Sequence, residues 1–281
     1  MTKYLALVLL VACGGPADRP GNMNDSGNTG GDGNGSNSDG CPDEAKSVYV
    51  VDQNNQFSRF DPPTQMFTDL GKLTCPASGT PFSMGVDRTA TAYVLYSSGE
   101  LFRVDTTAAG LPCTKTAWSS VNLRQFGMGF SSDAAGGSTD TLFIAGGTGP
   151  TQPTSTLAKV PLSTFQAQGV GGVQGWPELT GTGNAELWGF FPDASSPKIV
   201  KIDKTNGMAL QTFPLTIAGM PTAWAFAFWG GDFWVFLKKG SESSTTIYQY
   251  DAVTGAMKGT KAAPGRTIVG AGVSTCAPVI L

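Results

Sequence analysis

Short apolar runs of period two recur along the chain, and each alternates small residues with large ones. The segments are FSMGVD (82–87), FGMGFS (126–131), LTGTGN (179–184), WAFAFW (224–229) and VGAGVS (269–274). Their small positions are Ser83 and Gly85, Gly127 and Gly129, Gly181 and Gly183, Ala225 and Ala227, and Gly270 and Gly272. Alternation over four to eight residues predicts β-strands whose two faces meet different surroundings. The second small residues are spaced by 44, 54, 44 and 45 positions, a period in the range of propeller blades. After each of the first four segments comes a bulky run, TAYVLY, DTLFIAG, AELWGFF or DFWVFL. A third run follows, ELFRVD, TLAKVP, KIVKID or TIYQYD, commonly ending in an aspartate. The turns DKTNG and DAVTG show the reason, since Asp accepts hydrogen bonds from amides just ahead and Gly supplies the left-handed conformation.

The segment 47–73 supplies SVYVVD, QFSRFD and MFTDLGKL without an alternating strand before it, and IVGAGVS is left over at the C-terminal end. Joining the two completes a sheet. The expected fold is therefore all-β, a five-bladed β-propeller closed by pairing of the C-terminal strand with the N-terminal blade. A sixth short sheet within the 54-residue interval is the alternative. Four-stranded blades converge on the axis, so Gly or Ala on one face of the innermost strand lets neighbouring sheets approach.

The most apolar internal stretch, AWAFAFWGGDFWVF (223–236), fits this scheme. Ala223, Ala225 and Ala227 fall on one face and Trp224, Phe226 and Phe228 on the other, with Gly230, Gly231 and Asp232 making a turn. That pattern predicts a buried hairpin and not a membrane helix. The polar sequence elsewhere does not provide the lipid-facing strands of a transmembrane barrel.

Ahead of the repeats, Lys3 and the apolar run 4–12 have the size of a signal-peptide h-region and are too short to span a bilayer as a helix. Residues 14–40 are Gly-, Asn- and Ser-rich and are expected to act as a linker, with a reach of about 30 Å at roughly 5–6 Å per square root of residue number. The domain plan is a signal peptide at 1–12, an anchored Cys13 with its linker at 13–45, and a propeller at 46–281.

Leu10, Val11, Ala12 and Cys13 resemble the bacterial lipobox. The resemblance implies cleavage before Cys13, acylation (palmitate) of that cysteine and anchoring in the cell envelope. Gly14 in place of an aspartate implies the outer membrane, with the domain facing either side. The alternation of FSMGVD with runs such as YVLYSSGELFRVD resembles a group of myxobacterial-type envelope lipoproteins with five-bladed propellers, over residues 46–281. No catalytic signature of NHL-like, quinoprotein-like or lactonase-like propellers transfers, and the fold alone does not imply a function.

An exported chain with four further cysteines reads as two disulfides. Three connectivities are open. Cys41 with Cys276, at the two edges of the folded region, and Cys75 with Cys113, in successive repeats, are favoured.

The chain has no histidine, which excludes Ser-His-Asp triads, Cys-His dyads, His zinc sites and His-ligated haem. A net charge of −3 without a basic cluster argues against a nucleic-acid partner. Carboxylate chemistry remains. Asp87, Glu178, Glu186 and Asp232 flank the inner strands, with Asn184 as a neutral ligand. Asp87 and Asp232 also suit hairpin turns. Glu186 suits a solvated strand edge, and Glu178 is the residue such roles explain least.

The leading expectation is a monomeric, non-catalytic binding or scaffold protein without a cofactor. It holds a protein or glycan partner through an axial face, with Glu178, Asn184 and Glu186 as binding candidates. One alternative is a hydrolase of glycans or lactones using Glu178 with Asp87 or Asp232, assisted by calcium held by acidic residues and Asn. The other is an outer-membrane assembly factor.

Overall fold

A computed structural model describes residues 40–149 and 153–280. Cys13, the signal-peptide segment and the linker up to residue 39 lie outside the described residues.

Blade one contains β1 (Val48–Asp52), β2 (Gln56–Asp61) and β3 (Met66–Lys72). Blade two is β4 (Pro81–Val86), β5 (Thr91–Tyr96), β6 (Leu101–Asp105) and β7 (Cys113–Lys115). Blade three is β8 (Gln125–Ser132), β9 (Asp140–Gly147), β10 (Thr154–Val160) and β11 (Gln168–Gln174). Blade four is β12 (Glu178–Gly181), β13 (Leu187–Phe191), β14 (Lys198–Ile202) and β15 (Ala209–Pro214). Blade five is β16 (Pro221–Trp229), β17 (Asp232–Lys239), β18 (Thr245–Asp251) and β19 (Met257–Ala263), after which β20 (Ile268–Gly272) pairs with β1.

The five sheets are four-stranded and antiparallel, and β20 completes the first of them. The strands β20, β4, β8, β12 and β16 are neighbours in a closed ring about the axis. This is a five-bladed β-propeller. Both favoured disulfides are formed, Cys41–Cys276 across the closing blade and Cys75–Cys113 within blade two.

The apolar core lies between blades. Ala225 and Ala227 pack toward blade one with Val50, Phe60 and Ala271, whereas Phe226 and Phe228 pack toward blade four with Trp188 and Phe190. Gly230 and Gly231 turn this hairpin with φ of 65° and 80°, values that glycine adopts without strain.

A second periodic feature runs through the sheets. Gly272, Gly85, Gly129, Thr180 and Ala227 stand opposite Tyr49, Tyr93, Phe143, Trp188 and Trp234 on the second strands. Those aromatics in turn stand opposite Arg59, Arg103, Lys159, Lys201 and Gln249 on the third. One small, one aromatic and one long polar residue thus share a face in every blade. In blades three and four the lysine lies over the ring, Lys159 at 5.9 Å from Phe143 and Lys201 at 5.7 Å from Trp188.

This register corrects the sequence reading in blade four. The alternation there selects Gly181 and Gly183, but β12 ends at Gly181 and Gly183 lies in the hairpin turn. The position turned toward the next blade is Thr180, whose hydroxyl accepts a hydrogen bond from the Phe228 amide of blade five at 3.1 Å.

Candidate functional site

Glu178 opens β12, the inner strand of blade four. It stands opposite Phe190, just as Ser83, Gly127, Ala225 and Gly270 stand opposite Leu95, Ala145, Phe236 and Val51. One long acidic side chain therefore shares an axial level with four small residues. The site is fully enclosed, with Glu178 only 2% exposed and Ser83 completely buried.

The Ser83 hydroxyl donates to Glu178 Oε1, and the Met128 amide approaches the same oxygen at 3.5 Å. Ser83 belongs to blade two and Glu178 to blade four, so this contact passes over blade three. Gly127 of blade three lets the backbone of blade four come close, since an added Cβ would lie 2.2 Å from the Pro177 carbonyl oxygen and 2.6 Å from Glu178 Cα. Burial holds the Glu178 pKa well above the usual carboxylate range, and the two donors only partly oppose it.

The opposite end of the axis is crossed by the segment 273–280. Thr275 Oγ1 accepts from Arg88 of blade two at 3.0 Å and donates to Asp140 of blade three at 2.6 Å. Its carbonyl oxygen lies 2.7 Å from the Cβ position of Gly183 in blade four, and the Pro278 carbonyl accepts from the Gly230 amide of blade five at 2.7 Å. The Cys41–Cys276 bridge and the bond from Ser274 Oγ to the Ala45 carbonyl, at 2.6 Å, tie this segment to the start of the described chain.

The remaining candidate residues sit at this second end, in or beside the turns between first and second strands. Asp87 accepts from the amides of Thr89 and Thr91 at 2.8 and 3.0 Å and from the Tyr93 hydroxyl at 3.2 Å. Asp232 is buried against Lys258 and Gln249, at 2.8 and 2.6 Å. Glu186 bonds Lys201 Nζ at 2.5 Å and the Trp188 indole at 3.1 Å. Asn184 is exposed, and its backbone N–H donates to Thr182 Oγ1 at 3.2 Å. Glu178 is thus brought together with Ser83, while Asp87, Asn184, Glu186 and Asp232 stand at the other end of the strands. Among the described residues no group of three or more Cys, Asp or Glu side chains is arranged to hold a metal ion.

Ser83 and the segment 273–280 enter the site without having been singled out as polar partners. Ser83 is the one hydroxyl among the small positions of the five alternating segments, where the others are Gly or Ala, and that is the signal the sequence carried.

At the Glu178 end, a cavity of about 220 Å³ opens between the inner strands of blades five, one and two, lined by Trp224, Val269 and Phe82 among others.

Fold and site together define a five-bladed propeller with a filled axis. No protein-family model matches the chain, and no curated protein does. Among solved structures it is similar to a chain from the crystal structure of a nidogen/laminin complex, at 10% identity and a TM-score of 0.51, over 80% of this chain and 97% of that one. It is also similar to a protein of unknown function from Bacteroides caccae, at 10% identity and a TM-score of 0.47, with the same coverage of each chain. At this identity the likeness shows the fold alone.

Proposed function

We propose that this protein is a non-catalytic binding propeller, held at the cell envelope through a lipid on Cys13, that presents an axial face or loop rim to a protein or glycan partner. The observation that carries the reading is the filled axis. Glu178 is enclosed inside the ring with its Oε1 facing Ser83 and Met128, and the other candidate carboxylates are engaged in turns and ion pairs at the far end. Carboxylates committed in this way support a structural role for each, which leaves the surface to carry recognition. The similar chain from a nidogen/laminin complex comes from an assembly of proteins, in keeping with a propeller that binds. The lipobox-like Leu10–Cys13 supports the anchor, and Gly14 supports the outer membrane.

Cross-linked affinity purification of the full chain from its native envelope, beside a Cys13→Ala form, tests this. A stoichiometric protein or glycan partner that is lost with the anchor is the expected result. Failure to enrich any partner, together with glycan or lactone hydrolysis abolished by Glu178→Gln, would overturn it in favour of an enzyme.

A further inference from the structure

The inner strands carry a second set of residues at the axis, one step before the small positions. Three of them, Phe82, Trp224 and Val269, are half-buried and line the 220 Å³ cavity. Phe82 and Trp224 are fixed from behind, each packed against a buried inter-blade cluster, so two aromatic walls and an aliphatic one are preformed. The rest of the lining includes Gln53, Thr80, Ser97 and Thr222, and none of the lining residues carries a charge.

The polar groups divide into two kinds. Ser97 Oγ accepts from the Thr80 amide at 3.1 Å, and Thr222 Oγ1 donates to the Lys238 carbonyl at 3.1 Å, so both help to shape the rim. The Gln53 side-chain amide and the Thr80 hydroxyl make no bond to another described residue, and they are free to meet a ligand. Together they offer two donors and an acceptor from Gln53 and a donor-acceptor hydroxyl from Thr80.

A ligand that fits this lining has a flat apolar face for Trp224 or Phe82, hydroxyl or amide groups at its edge, and no net charge. An anionic ligand would lose hydration without gaining a counter-charge, which opposes its entry. A sugar ring has these properties, with C–H bonds on its faces and hydroxyls around its rim. We propose that the cavity at the Glu178 end of the axis is a binding site for one ring of a neutral saccharide, a hexose or N-acetylhexosamine unit. This deepens the binding reading above and rests on it.

Isothermal titration of the full chain with neutral hexose and N-acetylhexosamine oligosaccharides, and with uronic-acid oligosaccharides of the same length, tests the assignment. Neutral oligosaccharides are expected to bind at least tenfold more tightly than acidic ones. Trp224→Leu removes one wall, and Thr222→Arg fills the cavity from an exposed position without disturbing the core. Each is expected to weaken neutral binding at least tenfold, with the thermal midpoint of Thr222→Arg unchanged. Absence of saccharide binding, equal binding of acidic oligosaccharides, or full binding by Thr222→Arg would overturn the site. A protein partner captured from the envelope alongside any of those results would leave the broader binding reading standing.

Discussion

Ser83 and Glu178 are 95 residues apart in the chain and two blades apart in the ring, yet the serine hydroxyl donates directly to the glutamate carboxylate at the axis. The bond joins strands that are not neighbours in the ring, and Gly127 of the intervening blade lets the Pro177–Glu178 backbone pack against it. Several consequences of this arrangement are measurable.

Burial raises the folded-state pKa of Glu178 above its unfolded value of about 4.3. A raised pKa contributes stability in full below that unfolded value, and the contribution is lost as pH rises toward and through the folded pKa. Stability should therefore fall with rising pH, at a limiting slope of about 1.4 kcal/mol per pH unit. Glu100, pulled down to about 2 by Lys115, and Asp193, pulled down to about 2 by the amides of Ser195 and Ser196, act in the opposite direction and only in acid. Urea midpoints between pH 5 and 9 isolate Glu178. Glu178→Gln should raise the midpoint at pH 8 and flatten the profile; parallel profiles for the two proteins would show that the glutamate carries no such cost.

Ser83→Ala removes the hydroxyl and leaves Glu178 Oε1 with the distant Met128 amide. A loss of about 1–3 kcal/mol in unfolding free energy is expected from a buried acceptor deprived of its donor. Combining Ser83→Ala with Glu178→Leu should cost less than the two single changes summed, because no polar group is then left unpaired. Additive losses would mean that the two residues are not coupled.

Gly127→Ala places a methyl group against the backbone of Pro177 and Glu178, at 2.2 and 2.6 Å. Backbone cannot give way as a flexible side chain would, so blades three and four must separate, at a cost of about 1–3 kcal/mol or more. Gly259→Ala in the outer strand β19 meets nothing within 4 Å and should leave the thermal midpoint within about a degree of the parent. Similar losses at both positions would contradict close packing at the axis.

The Cys41–Cys276 bridge closes a loop with a sequence separation of 235, against 38 for Cys75–Cys113. Removing the longer bridge by paired Ser substitution is expected to cost about 3–5 kcal/mol, and removing the shorter one less, since the constraint on the unfolded chain grows with loop length. Denaturant midpoints compare the two, and limited proteolysis should cut first near residues 273–280 when the longer bridge is absent. Equal effects would indicate that the ring-closing strand is held by its pairing with β1 alone.

Much of the architecture is written in the chain itself. Ser83 and Gly85, Gly127 and Gly129, Ala225 and Ala227, and Gly270 and Gly272 announce inner strands because only small residues let five sheets converge, and the unpaired strand at 268–272 demands the partner that β1 provides. The sequence favoured Cys41 with Cys276, at the two edges of the folded region, among three open connectivities, and the structure forms that bridge. The phase of the fourth blade was not legible. A period-two pattern does not say which of its two faces meets which neighbour, and a slip of one residue exchanges them. Gly181 and Gly183 look like the small pair there, yet Trp188 on β13 stands opposite Thr180, which turns Thr180 toward blade five, while Glu178 reaches Ser83 across the axis. The sequence by itself determined the repeat and the closing strand, because these depend on residue size at regular intervals, while the five four-stranded sheets of the structure decided against a sixth. Only the tertiary structure decided that a glutamate occupies the axis and meets a serine two blades away, because that contact depends on strand register and ring closure, which no local pattern encodes.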